Sequence, residues 1–265
     1  MNMYRHELRD ILKPTMIWTF SIMAITIFFF SMYPTFSKEA ESLRRMLEGF
    51  PQAILEALNF DINAFTSILG FYSYIFVYIS LAGAIQAMIL GTGIISREIR
   101  EKTADFLLTK PVTRKAIMTS KLLAALTAII ITNIGYVSAA YLMAAIVESE
   151  GFQQGVFFLI SLSLLFIQLI FLAIGLITAV MVSRLKSVLP VSLGTVFGFF
   201  VINMFAKSIG DDKMGYFTPF YYFDSMYVLQ HKAYDPELMM LTIILIIMMV
   251  TGSYVMYAKK DIHTI

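Results

Sequence analysis

Glu98, Glu101 and Asp105 fall at i, i+3 and i+7, a spacing that sets three carboxylates along one stripe of a helix. They lie in the stretch REIREKTADFLLTKPVTRKAI, Arg97 to Ile117; with Ile95 just before it, Ile99 and Phe106 share a second stripe, and Arg97 and Arg100 lie on the far side from Ile95. The chemistry such a segment offers is recognition. Its acids can pair with a basic surface, and Phe106, Leu107 and Leu108 can fill a groove. Pro111 disfavours the α conformation at Lys110 and should end the helix, and Thr113 is placed to cap the next one. The pattern alone also fits a solvated loop whose bases enforce topology.

Covalent chemistry has no comparable signal. The chain has no cysteine, so thiolate metal sites and cysteine nucleophiles are excluded. His6, His231 and His263 are far apart and follow no ligand spacing, so no metal site is expected. No G-x-x-x-x-G-K-[ST] segment is present to cradle phosphate.

The elements that must position the charged stretch are apolar. Of the 265 residues 58% are hydrophobic, and the mean hydropathy is +0.76, beyond what a soluble core requires. Six windows lack Asp, Glu, Lys and Arg: 14–37, 62–96, 122–147, 151–183, 187–206 and 238–258. Each reaches the roughly 20 residues a helix needs to cross a bilayer. The first follows a polar segment and lacks an A-x-A-like exit, so it reads as a span rather than a leader peptide. Even parity puts both termini on one side. With the termini inside, 14 bases are internal and six external, which by the positive-inside rule makes the termini cytoplasmic. A net charge of +2 with dispersed bases gives no support for nucleic-acid binding.

The expected fold is an all-α membrane protein of six transmembrane helices forming a single polytopic domain over 1–265. It has an amphipathic N-terminal helix over 1–13, a cytoplasmic segment over 97–116 and outer loops over 38–61 and 207–237. Tyr4, Leu8, Ile11 and Leu12 share a face of the N-terminal segment and suit a surface-lying helix. In the first outer loop, Leu43, Met46, Leu47 and Phe50, then Ile54, Leu55 and Leu58 after Pro51, predict two short helices.

Glu98, Glu101, Thr103, Asp105, Leu107, Leu108, Pro111, Val112, Thr113, Arg114 and Lys121 together resemble the signature of type-2 ATP-binding cassette (ABC) exporter permeases, and the six-span layout matches as well. The resemblance implies that Arg97 to Ile117 is a coupling helix docking on an ATP-binding subunit. Glu98, Glu101, Thr103, Asp105, Phe106, Leu107, Leu108, Pro111 and Arg114 would make the contact. It further implies two copies of that subunit, which would bind the ATP and Mg while this chain binds no cofactor, and a second permease chain, identical or paralogous. The substrate class it implies is amphipathic or hydrophobic, exported across the cell membrane.

Gln86, Asn133, Gln168 and Asn203 are polar residues inside spans, suited to interhelical hydrogen bonds by default and to lining a pathway otherwise. Gly194 and Gly198 form a small-xxx-small pair that suits a permease-permease contact. YFTPFYYFDSMY, Tyr216 to Tyr227, has the composition of an interfacial aromatic belt. Rival readings are a nucleotide-independent carrier or channel, and a non-transporting immunity or scaffold protein. None of the six windows contains Asp, Glu, Lys or Arg, which favours an externally powered transporter.

Overall fold

A computed structural model describes residues 3–47, 67–100, 113–148, 151–182, 187–210 and 212–259. They form helices α1 (Met3–Ser31), α2 (Tyr33–Leu47), α3 (Ile68–Arg100), α4 (Arg114–Val147), α5 (Gln154–Met181), α6 (Val188–Ile209), α7 (Asp212–Gly215), α8 (Pro219–Tyr222), α9 (Ser225–His231) and α10 (Pro236–Lys259). Six helical stretches, one in each uncharged window, are long and apolar enough to cross a membrane. No strand occurs among the described residues. The fold is an all-α membrane protein.

Two helix pairs organise the bundle, α3 with α5 and α1 with α4, and α10 and α6 lean on the first pair. Apolar association is weak in a bilayer because lipid is as apolar as leucine, so close backbone approach has to supply the contact. At the crossing of α3 and α5, Gly91 and Gly175 face each other: a Cβ on Gly175 would lie 2.8 Å from Thr92 N and 2.9 Å from Met88 O. The α4 helix buries Ala124, Ala125, Ala128, Ala139, Ala140 and Ala144, and Gly135 admits the Thr19 methyl of α1. The matching stripe of α1 is Ile11, Thr15, Thr19, Ile22, Thr26 and Phe30, all buried.

Local signals set several helix ends. Ser67 Oγ accepts from Gly70 N at 3.0 Å, and Asp224 Oδ1 accepts from Met226 N at 2.8 Å. Asp235 Oδ1 accepts from Glu237 N at 2.8 Å behind Pro236, the first residue of α10. Gly210 ends α6 with φ +71, a conformation that costs a glycine little.

Three expectations change in detail. The N-terminal helix is present, but it continues without a break into the first span, with Pro14 inside α1. Proline removes one i to i−4 bond, here to Asp10 O, and packing of Ile11, Thr15 and Thr19 on either side of it holds the helix together. Of the two short helices expected between the first two spans, the first corresponds to α2, whereas Phe50, Ile54, Leu55 and Leu58 lie outside the described residues. The aromatic segment folds inward. Phe220, Tyr222 and Phe223 are buried, with Phe220 5.2 Å from Phe171 and Phe223 stacked 5.1 Å from Phe166, and only Tyr216, Phe217 and Met226 of the large apolar groups stay open. Alternating short helices α8 and α9 turn these rings over the end of the bundle. Tyr234 donates to Leu159 O at 2.5 Å, and burial pushes its hydroxyl up to about 12, so it stays a neutral donor.

Gly175→Ala should destabilise the protein by about 1–3 kcal/mol, because backbone atoms in its path cannot yield. Gly194→Ala should leave stability unchanged, since a Cβ there meets nothing within 4 Å. Thermal melts of the two variants in detergent check the contrast.

Candidate functional site: a charged junction at one end of the bundle

Extending the buried stripe of α1 by one step toward the N-terminus reaches Glu7, itself buried. A carboxylate on a helix-packing face needs a partner of opposite charge. The partner is Lys121, 1% exposed on the α4 stripe that also carries Ala125, Ala128, Thr132 and Tyr136. Lys121 Nζ lies 3.1 Å from Glu7 Oε1 and 3.2 Å from Oε2, and donates to Ile94 O of α3 at 2.8 Å. One ammonium group therefore joins three helices.

Around it lie weaker ties. Arg97 Nη1 pairs with Asp10 Oδ2 at 3.2 Å, linking α3 to α1 again. This pair is partly exposed and contributes at most about 1 kcal/mol. Tyr4 Oη and Thr127 Oγ1 are 3.0 Å apart, and Tyr254 Oη donates to Thr119 Oγ1 at 3.1 Å, which attaches α10 to the start of α4. Thr113 caps α4 as expected, its Oγ1 accepting from Ala116 N at 3.2 Å.

This junction is the root of the charged segment. Glu98 lies in the last turn of α3 and Arg114 is the first residue of α4. Glu101, Thr103, Asp105, Phe106, Leu107, Leu108 and Pro111 lie outside the described residues. Lys121 belongs to the sequence signature, but its pairing with Glu7 is legible only once α1 and α4 are known to pack face to face.

Deeper in the bundle three of the four interior amides meet. Gln86 Nε2 donates to Thr132 Oγ1 at 2.7 Å, Gln168 Nε2 to Gln86 Oε1 at 3.1 Å, and Asn133 Nδ2 to Gln168 Oε1 at 2.6 Å. Thr19 Oγ1 lies 3.1 Å from Thr132 Oγ1, so the network joins α1, α3, α4 and α5. Asn203 stands apart on α6, near the Lys207–Asp224 pair, and its Oδ1 has no hydrogen-bond partner among the described residues. A further polar layer consists of Tyr72, Tyr136 and Ser161, with Tyr72 Oη 2.7 Å from Ser161 Oγ and bonded to Tyr136 Oη. Gly194 and Gly198 are exposed on α6, apart from these layers. No group of metal-ligating side chains occurs among the described residues.

Removing one member of the buried pair strands the other. Lys121→Met and Glu7→Leu should each cost about 3–5 kcal/mol, and the double variant should recover most of it. A double-mutant cycle from chemical unfolding in detergent measures the coupling.

No curated protein matches the sequence. A family model described as ABC-2 family transporter protein matches residues 1–262, which takes in the junction, the amide network and all six spans. The chain is therefore a member of the ABC-2 transporter family.

Proposed function

We propose that this chain is the membrane-spanning permease subunit of an ATP-driven exporter, with ATP and Mg bound by a separate subunit. The observation that carries this reading is the junction: the two helices that flank the charged segment are tied to each other and to α1 by the Lys121 ammonium. A push delivered to residues 101–112 enters α3 and α4 together and reaches α1 through Glu7. A loop serving only to fix topology has no need of such a root.

Two ATP-binding subunits would engage two permease chains, identical or paralogous, with both termini of each on the cytoplasmic side. Glu98, Glu101 and Asp105 would pair with bases on the ATP-binding subunit, while Phe106, Leu107 and Leu108 would fill a groove there and Thr103, Pro111 and Arg114 would complete the contact. Closure of the ATP-binding pair would then bias the bundle between two arrangements, which is alternating access. Gly194 and Gly198, open on α6, suit the contact between permease chains. The cargo on this reading is amphipathic or hydrophobic.

Affinity purification of the chain from native membranes in mild detergent, with mass spectrometry of what accompanies it, tests the reading. The expected companion is a Walker-motif ATPase that is lost when Glu101 and Asp105 are replaced by Lys. A folded chain that copurifies with no ATPase, or keeps one despite those substitutions, refutes the assignment.

A further inference from the structure

A cleft of about 280 Å³ lies between α1 and α3. At one end stands the Asp10–Arg97 pair, and at the other Trp18 and Gln86. Those ends are eight residues apart on α1 and eleven on α3, or about 12–16 Å at the helical rise. The space is thus long and narrow. It is small beside the roughly 300–1,000 Å³ of pockets that enclose a whole drug-sized ligand.

Its polarity is graded. Ile11, Pro14, Trp18, Ile89 and Leu90 supply apolar walls, and the Gln86 amide is already engaged by Thr132 and Gln168. The charged end lies at the edge of the apolar windows, which begin at 14 on α1 and end at 96 on α3, so it sits where the hydrocarbon meets water. Pro14 is exposed, and Trp18, Ile89, Leu90 and Gly93 are half-buried, so the cleft opens sideways along its length.

We infer that this cleft binds one acyl chain of a zwitterionic phospholipid drawn from the bilayer, with the lipid head at the Asp10–Arg97 pair. The pair presents both signs of charge within 3.2 Å. A phosphate meets the guanidinium and an amine meets the carboxylate, whereas a purely anionic head leaves Asp10 facing like charge. The site is a property of this chain alone and does not depend on coupling to ATP.

Trp18 is the only tryptophan in the chain, so its fluorescence reports directly on the cleft. Full-length protein in phosphatidylglycerol nanodiscs is titrated with phosphatidylethanolamine brominated on its acyl chains, and the converse pair is run in parallel. A selective site quenches Trp18 beyond the guest mole fraction for phosphatidylethanolamine and below it for phosphatidylglycerol, a preference of about fivefold. Gly93→Leu should abolish that preference, because a Cβ there meets nothing within 4 Å and the rest of the side chain extends into the cleft that Gly93 lines. Arg97→Gln should abolish the head preference while quenching itself persists. Quenching that follows mole fraction in both hosts overturns the inference, as does a preference that survives in Gly93→Leu or in Arg97→Gln. No ATP-binding subunit is present, so loss of this site and loss of the coupling reading are separate results.

Discussion

Lys121 carries a charge into a place where water does not reach, and the arrangement of the surrounding helices follows from what that charge requires. A buried ammonium ion costs several kcal/mol unless its protons meet acceptors at close range. Here two come from elsewhere in the fold: the Glu7 carboxylate of α1 and the Ile94 carbonyl of α3. Sliding α1 along α4 by one turn would separate the carboxylate from the ammonium, so the pair fixes the register of two long helices together with the Thr19–Thr132 and Tyr4–Thr127 contacts.

The same logic governs the layers farther along. Apolar packing between helices gains little inside a bilayer, so alanines and glycines bring backbones close and a few polar groups give each crossing its address. The Gln86, Gln168 and Asn133 amides join the two principal helix pairs, and Tyr72, Tyr136 and Ser161 mark a separate polar layer. Every one of these groups has a partner on another helix. Each interhelical hydrogen bond is modest, about 0.6 kcal/mol on average, yet a wrong register would leave several of them unmet at once.

In this member of the ABC-2 transporter family the helices divide into blocks. The α1–α4 pair and the α3–α5 pair are each tightly packed, while α1 and α3 touch less extensively and leave the cleft between them. Charge sits where blocks join at one end. The contact between α1 and α3 there rests on the partly exposed Asp10–Arg97 pair and on their shared Lys121.

Six uncharged windows, the helical class and the capping of α4 by Thr113 are all legible in the amino-acid order, because chain-local physics decides them: the length needed to cross hydrocarbon, backbone satisfaction inside it, and a side chain reaching its own helix end. The interior amides are equally visible as residue types that demand partners. Which partners they take is not local. Glu7 looks like part of a polar N-terminal face until α1 is seen to run unbroken through Pro14, which carries Glu7 onto the packing stripe two turns and more before Thr15. Phe220 and Phe223 have the composition of an interfacial belt, and only the turns around α8 and α9 send them into the bundle. Lys121, Ile94 and Glu7 are separated by 27 and 114 residues, and no periodicity along the chain specifies that a single ammonium group will join them. Tertiary packing decided that, since the energy of a buried charge depends on what surrounds it in space.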